Sequence, residues 1–266
     1  MINIPMNSSP PLTRDNVLSL NNRKNTPTQD SRTILSINQG PVLSNPVTPH
    51  PFSPQPVNYR PVSSAVAVSG NTGTTVAQKP IPALLNPVRK GQKVALETNT
   101  KLTKIVARLG WNVLNPNCDV DVSAFLLNNT GKVIGDDWFV FYGQEQSPDC
   151  STRFSIDSGQ DRELISIDLN RLNPSVAKIV FVLTINESLE RRLNFSMLKD
   201  AYVRIMDGIT NSELVSFKMT DYYSNVTSMM IGEIYLHNGK WKFNAIGNGV
   251  ARDLAGLCEL YGVQVI

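Results

Sequence analysis

The stretch Cys118–Asp149, CDVDVSAFLLNNTGKVIGDDWFVFYGQEQSPD, decides how the chain is read. It opens with Asp119-Val120-Asp121-Val122-Ser123. Alternate residues of an extended strand share a face. Asp119, Asp121 and Ser123 therefore lie on one side, and Val120, Val122 and Ala124 on the other. Successive carboxylates on such a face stand roughly 7 Å apart and repel each other unless a positive charge intervenes. A cation with hard oxygen ligands meets that need, and calcium suits a cluster of carboxylates. The competing reading is a polar strand mouth whose acids serve only turns and caps. The apolar run Phe125-Leu126-Leu127 continues the strand, Asn128-Asn129-Thr130-Gly131 turns it, and Asp136-Asp137 leads into a second apolar run, Trp138–Tyr142.

The spacing is not that of an EF-hand. That loop needs Gly at its sixth position and an acid at its twelfth, and counting from Asp119 these are Ala124 and Thr130.

Working outward, the pattern of short strands continues. Gln92–Leu96 and Lys104–Leu109 read as strands before the acidic one. Glu163–Leu169 alternates cleanly after it. Lys178–Ile185, KIVFVLTI, is apolar on both faces and β-branched, so it reads as a central strand. Ala201–Met206, Glu213–Met219, Ile231–Leu236 and Lys240–Ile246 complete the set, the last two joined by a His237-Asn238-Gly239 hairpin signal. In Ala251–Tyr261, residues Leu254, Leu257, Cys258 and Tyr261 fall on one helical face and Gly262 ends it. Many short strands with one late helix predict an all-β fold, a two-sheet β-sandwich with a short C-terminal helix over residues 85–266.

Residues 1–84 read differently. Twelve of the 17 prolines lie at or before Pro80, amid Asn, Ser, Thr and Gln. Such a segment cannot bury enough apolar surface to offset chain entropy, so it is expected to be a disordered tail and linker. Charge follows the same division. Residues 1–86 hold six Lys/Arg and two Asp/Glu, whereas residues 87–266 hold 19 and 20. The overall formal charge of +3 is too small to call for nucleic acid as a partner. No stretch has the ~18 apolar residues of a transmembrane segment, and the N-terminus lacks the pattern of a signal peptide. Cys118, Cys150 and Cys258 are odd in number and match no zinc spacing, which places the chain in a reducing, cytoplasmic compartment.

Nothing in the sequence has the form of an active site. There is no GxSxG, no phosphate loop, and the two histidines, His50 and His237, have no argued Cys partner. The chain is expected not to be an enzyme.

The blocks DVDVSAFLL, GKV, FVFY and SPD, followed in order by ELISIDL (Glu163–Leu169), VAKIVFVLTIN (Val176–Asn186), NFSMLKDAYVRI (Asn194–Ile205), IGEIYLHNGKWKFNAIGNG (Ile231–Gly249) and LAGLCELYGV (Leu254–Val263), resemble the TerD family of bacterial tellurium-resistance and stress proteins. The resemblance covers roughly two thirds of the chain. It implies a calcium-binding, non-enzymatic stress protein, with other tellurium-resistance-type proteins as partners. It also implies an acidic Gly-rich loop near Phe154–Glu163, which here is contracted and interrupted by Arg162. On this basis Asp119 and Asp121 are expected to converge with Asp157, Asp161 and Glu163 on calcium, with Asp136 and Asp137 as further candidates. Slime-mould cyclic-AMP-binding proteins resemble the same family, so a cyclic-nucleotide or partner-binding module is the alternative.

Overall fold

The computed structural model describes residues 78–96 and 101–264. Of the tail expected over residues 1–84, residues 1–77 lie outside them. Eleven strands form two antiparallel sheets, in chain order β1 (Lys93–Ala95), β2 (Lys104–Val113), β3 (Val120–Leu127), β4 (Phe139–Val140), β5 (Thr152–Ile156), β6 (Glu163–Asp168), β7 (Lys178–Ile185), β8 (Leu198–Asp207), β9 (Glu213–Lys218), β10 (Ser228–His237) and β11 (Lys240–Val250). Among the described residues one α-helix, α1 (Leu254–Tyr261), follows. The six-stranded sheet runs β1-β11-β10-β7-β3-β4 and the five-stranded sheet β5-β6-β2-β8-β9. The expected all-β sandwich with a short C-terminal helix is what forms.

Alternation sets the main core. Val120, Val122, Ala124 and Leu126 of β3 face inward, as do Ile179, Phe181, Leu183 and Ile185 of β7. Ile105, Ala107 and Leu109 of β2 and Val203 and Ile205 of β8 meet them from the other sheet. The outer face of the six-stranded sheet is not left to water. Phe125 and Leu127 of β3 and Val180 and Val182 of β7 join Leu257 and Cys258 of α1 in a second core. This explains why β7 is apolar on both faces. Phe125 stacks on Phe139 at 4.4 Å and meets Tyr261 at 4.5 Å. Asp253 caps the helix by accepting from the Gly256 N–H at 2.8 Å, and Gly262 ends it in the left-handed region. Cys258 is fully buried there, and burial pushes its thiol up to about 12, which suits a core residue rather than a nucleophile.

The second apolar run makes less strand than its pattern promises. Only Phe139 and Val140 pair with β3. Phe141 then exchanges backbone hydrogen bonds with Gln144, and the Gln144 side chain donates to the Asp137 and Phe139 carbonyls. The turn closes before the apolar run is spent. β4 therefore faces only Ala124 and Phe125, Leu127 makes a single bridge with Val133, and among the described residues the start of β3 around Val122 has no strand on that side.

The chain before β1 is also part of the sandwich. Gln78 and Lys79 hydrogen-bond to Val113 and Asn112, and Leu85 and Asn86 donate to Glu213 Oε1 at 2.8 Å each. Residues 78–88 thus form a strap on the five-stranded sheet, extending the folded region upstream of residue 85.

The β2–β8 pair contains a close approach that only glycine permits. Gly110 lies opposite Tyr202, and a Cβ at Gly110 would meet the Tyr202 hydroxyl oxygen at 2.3 Å. The ring crosses that space so that its hydroxyl can donate to Asp161 at 2.9 Å. We expect Gly110→Ala to destabilise the chain by about 1–3 kcal/mol in denaturant unfolding, the range for overpacking. In Tyr202→Ala the colliding ring is gone, so the same substitution added there should cost clearly less. An equal cost in both backgrounds would show that the ring is not the obstacle.

Candidate functional site

The acidic strand, β6 and the turn after β4 place three carboxylates and a tyrosine in one region. Glu163 is the first residue of β6, and with Ile165 and Ile167 it is buried on the inner side of its sheet. Its Oε2 crosses to the other sheet and accepts the Val122 N–H at 2.7 Å. That N–H sits on β3 just before the stretch that β4 covers, so Glu163 supplies a ladder bond that no strand supplies. Asp121 sits beside Val122, opposite Thr184 of β7. Asp119 precedes β3, where its backbone carbonyl accepts the Asn186 N–H at 2.8 Å and its side chain the Asn186 amide at 3.5 Å.

These acids perturb one another. Burial holds the Asp121 carboxyl well above the usual carboxylate range, and neighbouring Asp119 raises it further. Glu163 is also held well above that range, by burial first and by Asp121 next, against the opposing Val122 hydrogen bond. Asp119 is raised by burial, less so because Asn186 and the positive charge of Arg191 favour its ionised form. The half-buried Tyr142 hydroxyl feels all three: burial and the charges of Asp121, Asp119 and Glu163 push it upward. Among the described residues, none of the three carboxylates makes an ion pair with Lys or Arg. A buried acid without a counter-charge takes a proton or a cation.

The remaining sequence candidates stand elsewhere. Asp161 is buried on the opposite side of β2 and β8, where Arg204 holds it through Nη2 at 2.5 Å and Nε at 3.2 Å. Asp157 accepts the Asp161 N–H at 2.8 Å and lies 4.0 Å from Arg108. The expected convergence of Asp157 and Asp161 with Asp119 and Asp121 is therefore not what this geometry shows: arginines draw both to the outer face of the five-stranded sheet. Arg162, between Asp161 and Glu163, donates to the Trp111 carbonyl at 2.5 Å and lies over the Trp111 ring. Asp136 accepts the Gln264 N–H at 2.8 Å, and Asp137 is exposed in the turn before β4; neither shares a hydrogen bond with the trio. Tyr142 and Asn186 are the residues that sequence reading missed. Each lies at the end of an apolar run that reads as core, with no local signal of its contact with the acids.

The trio is not a finished coordination sphere. Among the described residues no group of three or more His, Cys, Asp or Glu side chains is arranged to hold a metal ion. Nor is any helix there long and apolar enough to cross a membrane.

Comparison with known proteins bears on the whole folded region. The TerD domain is matched over residues 86–261. The chain is 38% identical over 186 residues to general stress protein 16U of Bacillus subtilis (strain 168), covering 66% of this chain and 96% of that protein. It is 36% identical over 184 residues to tellurium resistance protein TerD of Serratia marcescens, again covering 66% and 96%. A solved structure described as a homologue of telluride resistance protein (TerD) from Streptomyces coelicolor A3(2) aligns with a TM-score of 0.46 at 19% identity, covering 62% of this chain and all of that one. The domain match over residues 86–261 and the two sequence relatives show that the chain belongs to the TerD family, whose named members include tellurium-resistance and general stress proteins.

Proposed function

We propose that this chain is a calcium-binding stress protein of the tellurium-resistance type, one that acts by binding rather than by catalysis. The observation that carries the calcium reading is the trio of neighbouring acids, Asp119 and Asp121 partly exposed and Glu163 buried, whose carboxyls are all raised and which make no ion pair with Lys or Arg among the described residues. Hard carboxylate oxygens are the donors calcium takes, with six to eight oxygens needed in all. Asp119, Asp121 and Glu163 would hold the ion, with water and backbone carbonyls completing its ligands. The ion supplies positive charge beyond the partial offset from Arg191 and Arg162. Since Asp121 and Glu163 stand in different sheets, neutralising both removes a repulsion across the sandwich. The trio has yet to close around an ion, so binding draws these side chains together. Three free cysteines, Cys118 and Cys258 buried and Cys150 exposed, support a reducing cytoplasmic setting. Other tellurium-resistance-type proteins are the partners we expect there.

The proposal is tested by thermal unfolding of the full chain in chelator and then in calcium. Calcium at a hundredfold excess over its dissociation constant should stabilise the wild type by about 2.7 kcal/mol. Asp121→Asn with Glu163→Gln keeps an acceptor for Val122 and removes the repulsion. The double variant should be more stable than the wild type in chelator at neutral pH and should not respond to calcium. An unmoved wild-type melt, or an equal response in the variant, defeats the reading.

The pH dependence follows from the raised carboxyls. Their folded pKa values lie above the unfolded ones, so the stability they contribute is full below the ordinary carboxylate range and is lost as pH rises through the raised values. Asp149, Asp200 and Asp207, held below the ordinary range, act the other way, but only on further acidification. In chelator the melting temperature should therefore rise as pH falls from about 7.5 to about 5. Because the ion binds deprotonated ligands, the added stability from calcium should shrink over the same interval. A chelator melt that is flat or falls across it would show that the trio is not protonated in the metal-free protein.

A further inference from the structure

The outer face of the five-stranded sheet carries a cleft of about 440 Å³ between β2, β8 and the strap, separate from the trio. This volume falls within the ~300–1,000 Å³ of small-molecule sites. Its floor is two arginines set side by side, Arg108 of β2 directly opposite Arg204 of β8. Asp157, Asp161 and Glu213 line it with them. The lining thus carries two positive and three negative side chains. Leu85 of the strap and Met206 of β8 add an apolar side.

The charges are not equally spent. Asp161 is saturated by Tyr202 and Arg204. Glu213 is 7% exposed, and only its Oε1 is used, by the Leu85 and Asn86 N–H groups. Its Oε2 is buried with no hydrogen bond, 3.9 Å from Arg204 Nη1. Arg108 Nη2 donates to Asn211 at 3.2 Å, but its Nε is buried with no acceptor. A buried guanidinium N–H without an acceptor is rare and costly, and the buried Glu213 Oε2 in the same lining has only its ion pair with Arg204 and no hydrogen bond.

We propose that this cleft binds a free α-amino acid with an apolar side chain. The ligand carboxylate accepts from Arg108 Nε and Arg204 Nη1, its ammonium donates to Glu213 Oε2, and its side chain lies against Leu85 and Met206. Both atoms are buried, so binding requires the Arg108 side chain and the Glu213 carboxylate to turn toward the cleft. The mixed lining explains the choice of a zwitterion, since a lone anion meets three carboxylates and a lone cation meets two guanidinium groups. Leu85 precedes the matched domain, so one wall comes from the segment ahead of it.

The test is a heteronuclear NMR titration of the full chain with L-leucine, 4-methylpentanoate, which lacks the ammonium, and isoamylamine, which lacks the carboxylate. L-leucine should give saturable shifts at Arg108, Arg204, Ser212 and Glu213. The two single-charge analogues should bind at least about tenfold more weakly, a loss of about 1.4 kcal/mol. Glu213→Gln keeps the Oε1 contacts to the strap and replaces the acceptor, so it should weaken L-leucine by at least about tenfold, as should Arg108→Gln. No saturable shift at these residues with L-leucine overturns the proposal. So does an analogue that matches L-leucine, or a Glu213→Gln variant that binds as the wild type. Should Arg108→Gln not fold, the wild-type analogue series and Glu213→Gln still decide the matter.

Discussion

The hydrogen bond from the Val122 N–H to Glu163 Oε2 joins the two sheets at the place where β4 is too short to finish the ladder. An uncovered backbone donor in a buried edge must be satisfied. A carboxylate satisfies it strongly, but brings its charge into the interior beside Asp121. One neutral partner would have closed the edge with no electrostatic cost. The use of an acid there, next to two more acids, is what raises the carboxyls at this end of the sandwich. The rest of the fold holds the arrangement in place. β7, buried on both faces, fixes β3 along its whole length, from Val120 opposite Ile185 to Leu127 opposite Lys178.

The same chain solves the problem of buried acids in two ways a few residues apart. Asp161 enters a wall already furnished with Arg204, Arg108 and the Tyr202 hydroxyl. Removing one partner from such a network leaves a buried charge unpaired, which costs far more than an exposed ion pair contributes. Glu163 enters a wall furnished with other acids. The first environment fixes the outer face in one arrangement. The second sets acid beside acid, and their carboxyls are raised.

Much of the fold was legible in the residues. β7 begins and ends where the run KIVFVLTI does, and the Asn238-Gly239 turn has both residues at positive φ, as the hairpin signal requires. The alternation from Val120 to Leu127 correctly sorts inner from outer side chains. Two features were not legible. The apolar run Trp138–Tyr142 has strand chemistry throughout, yet the Gln144 side chain captures its carbonyls and turns it early. Residues 78–84 read as linker because their composition is poor in core formers, but their backbone and side chains find acceptors on the sheet. Side-chain capture of backbone groups leaves little trace in a hydrophobic pattern.

The candidate site was legible as a set of acids and not as a geometry. Period-two reasoning placed Asp119 and Asp121 together, and both do charge one another. Carrying that reasoning through Asp157–Glu163 fails because those residues include a turn, where no period holds. Asp157 accepts the Asp161 N–H and its own N–H bonds the Arg162 carbonyl, so the chain folds on itself before β6 begins. Asp161 then faces the outer arginines, Arg162 the Trp111 ring, and Glu163 the interior. Three successive residues enter three environments because the turn, not the strand, sets their directions. Arg162, which interrupts the acids in sequence, gives its guanidinium to the Trp111 carbonyl and ring, so its charge offsets Glu163 without an ion pair and by less than burial and Asp121 raise it.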